Sequence, residues 1–190
     1  MSNREKLLAG AKQLISEKGY GQITARDLVT VSETNLASIG YHFGSKEALL
    51  TEAVLDSFTS WGADLKRAIG EIDTDDPAER LAAILDTLVG FFSTDQSSTI
   101  ASIEAFARSP HAPEVRERLA AVYADSRAAV ASVVLEVDPA DVDAQQAHRI
   151  GSLGLALIDG LALQWLVDPK HAPSGSDIAE ALRDLGARQR

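Results

Sequence analysis

"NLASIGYHFGSKEALL", Asn35 to Leu50, places a glycine and three ring side chains inside what reads as one short helix, directly before a lysine that opens another. Asn35 is a strong N-cap type, because its side-chain oxygen satisfies a free backbone N–H of the first turn, so the spacing predicts a helix from Leu36 to His42 or Phe43. Gly40 inside that helix costs about 1 kcal/mol relative to alanine. The cost is explicable if the backbone there approaches another surface closely. Ser45 is the next N-cap, and behind it Leu50, Val54, Phe58, Trp61, Leu65 and Ile69 keep helical spacing, which predicts a fourth helix about 36 Å long.

Upstream, Ser2-x-x-Glu5 makes a capping box, and Leu7, Leu8, Ala11, Leu14 and Ile15 form one apolar stripe, with Gly19 expected as a left-handed C-cap. Thr24 with Asp27 repeats the box and starts a short helix through Arg26, Leu28 and Val29 that ends near Val31. Two short helices joined by a tight turn, resting on a longer first one, are the pattern of a helix-turn-helix module. Downstream, "GEIDTDDP" breaks the fourth helix, and Asp75 or Asp76 caps a fifth, with Pro77 at its first position and its end near Phe92. "STDQSS" reads as a turn, and four helices follow: Thr99 to Arg108, Glu114 to Glu136, Ala144 to Val167 and Asp177 to Leu185. No stretch alternates like a half-buried strand. The expected fold is all-α, with a three-helix module over 1–45 and six helices over 46–190.

At 190 residues and 45% hydrophobic content the chain has the size and composition of an ordinary globular protein of one or two units. It has no cysteine, which excludes disulfides, thiolate metal sites and cysteine nucleophiles. The charged N-terminus lacks the apolar core of a signal peptide, and Ile150 to Val167, interrupted by Asp159 and three glycines, reads as a buried helix short of a membrane span, so a cytoplasmic protein is expected. His111, His148 and His171 are scattered, and no metal or cofactor is expected. Charge is uneven: residues 1–50 carry six Lys/Arg and five Asp/Glu, net +1, and the remainder twelve and twenty-three, net −11. Only the first quarter comfortably approaches a polyanion.

Residues 7 to 55 resemble the DNA-binding domain of the tetracycline-repressor (TetR) family of transcriptional regulators. The resemblance is carried by Gly19-Tyr20, by "TARDL" at Thr24 to Leu28 and by "YHFGSKEALL" at Tyr41 to Leu50; "IDGLALQWLVDP", Ile158 to Pro169, is a weaker match to the penultimate helix of many members. Two positions depart from the family pattern. The turn reads "SETN", Ser32 to Asn35, with Glu33 in place of glycine, and "SIGYHF", Ser38 to Phe43, has Gly40 in place of a ring.

A helix entering a major groove about 12 Å wide needs a thin face. Ala37, Ser38 and Gly40 are expected to form that face, with Tyr41 and His42 at its rim and Ile39 and Phe43 turned inward onto Leu14, Leu28 and Leu50. Lys46 sits in a first helical turn, where a cation is unfavourable unless an anion such as a phosphate lies beside it. Thr24, Arg26 and Asn35 complete the expected DNA-contacting set, with a salt bridge from Arg26 to Asp27 or Glu47 as the alternative. The resemblance further implies an effector pocket, for which Phe58, Trp61, Phe92, Ile103, Glu104, Phe106, Tyr123, Asp159 and Trp165 are candidates against a solid core. Glu104 and Asp159 either pair with Arg108, Arg127 or Arg149 or orient a small molecule. Ile150, Leu153, Leu157, Leu161, Ile178 and Leu182 are the expected dimer face. These readings lead to a homodimeric repressor released from a double-stranded DNA operator by a small, mostly apolar effector, with no catalysis. Two alternatives stay open: a helical enzyme using Glu104 or Asp159, and a TetR-like activator without a ligand.

Overall fold

The computed structural model describes residues 1–56 and 74–187, and all regular structure among them is helical. Phe58, Trp61 and the later turns of the fourth helix lie outside the described residues. The chain forms two compact units, one from residues 1–56 with 95–122, the other from 74–94 with 123–187.

In the first unit the helix starts form as local chemistry dictates. At α1 (Asn3–Lys18) the Ser2 hydroxyl accepts the Glu5 N–H at 3.3 Å, and Glu5 Oε2 accepts the Ser2 N–H at 2.7 Å. The same reciprocal pair opens α2 (Ala25–Val31): Asp27 N–H donates to Thr24 Oγ1 at 3.1 Å and Thr24 N–H to Asp27 Oδ2 at 2.9 Å. Asn35 Oδ1 accepts the Ser38 N–H at 3.0 Å to start α3 (Leu36–Phe43), and Ser45 Oγ accepts the Ala48 N–H at 3.0 Å to start α4, helical over 46–56. Gly19 differs from expectation. Its N–H donates to Ile15 O and its φ is 75°, but ψ is 154°, so the chain leaves α1 extended and enters the 3-10 turn Tyr20–Gln22 without a left-handed cap.

The turn between α2 and α3 holds despite its missing glycine. Glu33 adopts a φ of 51°, and the turn closes through Thr34 N–H to Val29 O at 3.0 Å and through the buried Ser32 hydroxyl to Leu28 O at 2.6 Å. A left-handed residue other than glycine costs about 1–2 kcal/mol. Part of that is returned as unfolded-state entropy when glycine replaces it. Glu33→Gly should therefore raise the melting temperature by about 1–4 °C, read by circular dichroism.

Under these helices Leu7, Leu14, Tyr20, Leu28, Phe43 and Leu50 form one buried cluster, which Ala101 and Ala105 of α6 (Gln96–Arg108) complete, each 0% exposed. That packing takes the compact unit beyond residue 45. It includes the described part of α4, α6 and the first ten residues of α7 (Pro113–Leu135). The turn expected over residues 93–98 shrinks to Asp95, whose Oδ1 accepts the Ser98 N–H at 3.1 Å and so starts α6 early.

The second unit packs α5 (Pro77–Thr94), the rest of α7, α8 (Ala144–Val167) and α9 (Gly175–Ala187) around Ile84, Leu85, Phe92, Val134 and Leu161. The Ser174 hydroxyl accepts the Asp177 N–H at 3.1 Å and moves the start of α9 ahead of the expected Asp177. Within α8, Ala147–Gly151 widen into a π turn that periodicity gives no hint of. At Gly151 a Cβ would lie 2.1 Å from Arg127 O, so α7 and α8 meet there backbone to backbone.

Candidate nucleic-acid interface

α3 has two faces of different character. Inward, Ile39 and Phe43 are each 5% exposed and join the cluster of Leu14, Leu28 and Leu50, as the spacing predicted. Outward, Ala37 and Gly40 are exposed, no atom of the described residues beyond its chain neighbours and its own helix backbone lies within 4 Å of where a Gly40 Cβ would be, and Tyr41 is 86% exposed. Tyr41, His42 and Phe43 step edge to face, with ring centroids 4.8 and 6.3 Å apart, so His42 is propped between an exposed ring and a buried one. Ser38 departs from the expected thin face. It is buried, and its hydroxyl turns back to Asn35 Oδ1 at 3.2 Å, because the cap fixes the phase of the first turn. Leu36, 55% exposed at the first helical position, is a surface residue the sequence reading passed over.

Around α3 the flanking groups are held by short bonds. Lys46 Nζ donates to Ile23 O at 2.9 Å and lies 3.3 Å from Glu47 Oε1, which ties the start of α4 to the residue before the Thr24 cap. Lys18 takes Asp27 at 2.9 Å, and with Thr24 it holds the Asp27 carboxyl far below the usual carboxylate range. Lys18 on Asp27 and Lys46 on Glu47 occupy both expected partners of Arg26, which is exposed.

The expected pocket residues divide between the units: Ile103, Glu104 and Phe106 belong to the first, Phe92, Tyr123, Asp159 and Trp165 to the second. In the second unit Phe92 is buried with its ring centroid 6.4 Å from that of Trp165. Asp159 is engaged by the Tyr123 hydroxyl, not by an arginine; burial pushes its carboxyl up against the opposing effect of that bond. Burial and then the neighbouring carboxylate push the Tyr123 phenol up as well, so the shared proton stays on the tyrosine. Arg127 instead donates to Ser152 Oγ at 3.1 Å and lies 5.9 Å from the Tyr123 ring centroid. In the first unit Glu104 Oε2 is buried with no hydrogen-bond partner among the described residues, against Gly21, while Arg108 lies over the Tyr20 ring at 5.3 Å.

The expected dimer residues of α8 and α9 divide between buried and open positions. Leu161 is 1% exposed inside its own unit's core, with Ile150, Leu157, Ile178 and Leu182 packed against that core. Only Leu153 among them is open, at 48%, and it is joined by Leu163 at 49%, Val167 at 85% and Leu185 at 64%. The signal for Leu163 and Val167 was their four-residue spacing on a helix apolar all round. By length and composition α8 is apolar enough to cross a bilayer, and only 22% of its most apolar stretch is buried within the described residues, so it is not the buried helix expected.

A bare-faced second helix of a helix-turn-helix, braced by a lysine at the next helix start, defines a DNA-binding regulator. The chain belongs to the tetR family: the model for bacterial regulatory proteins of that family matches residues 7–53, and that for the C-terminal domain of BetI-type transcriptional repressors matches 77–188. It is similar to the HTH-type transcriptional regulator BetI of Brucella anthropi, 28% identical over 178 residues that span 93% of this chain and 88% of that protein. Among solved structures, SCO7518 of Streptomyces coelicolor superposes with a TM-score of 0.67 at 26% identity, covering 94% of this chain and 95% of that one. A Saccharomonospora viridis regulator in complex with choline shares the fold, with a TM-score of 0.62 at 24% identity over 95% and 93% of the two chains.

Proposed function

We propose that the chain acts in the cytoplasm as a homodimeric repressor, released from its operator when a small, mostly apolar effector binds. The observation that carries the reading is the outward strip of α3: Ala37, Gly40 and Tyr41 are bare while the opposite face is locked into the core. Ala37 and Gly40 let the helix approach base edges, Tyr41 and His42 reach the rim, and Thr24, Arg26, Asn35 and Lys46 lie at helix starts where phosphates bind. One short helix reads few bases, so two copies are needed, about 34 Å apart. The exposed Leu153, Leu163 and Val167 along α8, with Leu185 of α9, are the face we assign to the pairing. Phe92 and Trp165 supply the apolar body and Tyr123 with Asp159 the polar end of the effector site. Effector binding then needs only to favour a conformation in which α4 no longer holds α3 at operator spacing.

A gel shift of the chain on its own upstream region, against a scrambled duplex and across a salt series, tests this. Preferential binding that falls steeply with salt supports it, and equal binding to both duplexes rejects it. Lys46→Ala should weaken binding to every duplex by a similar factor and lower the salt slope by about 1 per chain, because Lys46, held on Ile23 O and Glu47 in the free chain, is the cation that turns to a phosphate in the complex.

A further inference from the structure

The first turn of α4 carries a contact that capping does not call for. Besides accepting the Ala48 N–H, the Ser45 hydroxyl donates to Glu114 Oε1 at 3.0 Å. Glu114 is the second residue of α7 and half-buried. One turn further along α7, Arg118 pairs with Glu52 of α4, and Glu52 also takes Arg4 of α1. The start of α7 is thus fastened to α4 and α1 within the first unit, and Glu114 is held in place by the same fastening. Among the described residues no lysine or arginine pairs with Glu114; the adjacent Lys46 is turned to Ile23 O and Glu47.

We propose that Glu114 sets operator affinity. Its carboxylate stands on Ser45 at the start of α4, where on the reading of α3 as a DNA-binding helix a phosphate of bound DNA comes, and it competes with that phosphate. This inference rests on the DNA-binding reading above. In the free chain the carboxylate complements the positive end of α4. When DNA arrives, either the Ser45 bond breaks or two anions share one helix start, and both outcomes cost affinity. A unit charge about 7 Å from a phosphate at a surface, with an effective dielectric of about 20–40 and screening at about 0.05 M salt, lowers binding about three- to tenfold per chain. Because Glu114 belongs to α7 and not to the DNA-reading helices, any shift of α7 against α4 alters operator affinity through this single charge.

The test is Glu114→Gln, which keeps an oxygen to accept the Ser45 hydroxyl but removes the charge, alongside Glu114→Asp, which keeps the charge. Fluorescence anisotropy would follow each full-length chain on a labelled duplex from its own upstream region. At low salt, near 0.05 M, the glutamine variant should bind about three- to tenfold tighter per chain than wild type. The gain should shrink to less than about twofold near 0.4 M, where screening shortens the reach of the charge. The aspartate variant should stay within about twofold of wild type throughout. A glutamine variant equal to or weaker than a wild type that binds normally overturns the inference alone, as does a gain that persists undiminished at high salt. A wild type with no preference for its own upstream duplex overturns the DNA-binding reading, and this inference with it.

Discussion

Gly151→Ala should lower the melting temperature by about 6–12 °C. The added Cβ would lie 2.1 Å from Arg127 O and 2.7 Å from Arg127 C and Cα, and all three are backbone atoms of a neighbouring helix. Backbone cannot rotate away. Relief requires α7 and α8 to part, and Arg127 is further tied across that contact to Ser152. A strain of about 3 kcal/mol follows, and for a chain of this length each kcal/mol moves the midpoint by about 2–4 °C. Gly154→Ala is the control. Its Cβ would meet Val130 Cγ1 at 2.4 Å, a side-chain atom and not backbone, so α7 can yield there with less displacement and the loss should be smaller. Thermal denaturation followed at 222 nm would decide it, and equal melting of Gly151→Ala and wild type would show that the two helices do not meet as described.

Gly40→Val should have the opposite profile: an unchanged or slightly raised melting temperature with about a hundredfold loss of operator affinity. No atom of the described residues beyond its chain neighbours and its own helix backbone lies within 4 Å of the added Cβ, so the fold has room for it. Valine also forms helix better than glycine by a few tenths of a kcal/mol. On the groove assignment proposed above, the major groove lacks that room: a branched side chain at Gly40 would lift the helix off the base edges and stretch the phosphate bonds on either side. About 1.4 kcal/mol lost in each of two copies amounts to a factor of about a hundred. Melting and gel shift on the same preparation would separate the two effects, and full affinity in the valine variant would mean that another face of α3 enters the groove.

The helix starts were legible because each cap closes within three or four residues: Ser2 with Glu5, Thr24 with Asp27, Asn35 with Ser38 and Ser45 with Ala48. The inward face of α3 was legible for the same reason, since Ile39 and Phe43 lie one turn apart and must share a side. Ser38 was misplaced because its orientation depends on a bond back to Asn35 that competes with the outward direction its spacing implies. Phase failed altogether on α8. A helix apolar all round gives no preferred side, so Leu161 was assigned to a partner when it belongs to its own core. Partners distant in sequence were the least legible: Tyr123 and Asp159 are 36 residues apart, and Ser45 and Glu114 are 69. Nothing in residue type or spacing points to such pairs, and for Asp159 an arginine was expected instead.

The π turn at Ala147–Gly151 has a geometric consequence for assembly. Accommodating one extra residue per turn there acts as an angular offset of about 100° between the helix before it and the helix after it. Leu153, Leu163 and Val167 all lie after it, so their azimuth around the helix axis relative to Ala144–Gln146 is fixed by that single insertion. Excising one residue from the wide turn would swing the open ridge by more than a quarter of a revolution. On the pairing proposed along that ridge, two such chains would join along a different seam and space their α3 helices differently, without any change to a residue of α3.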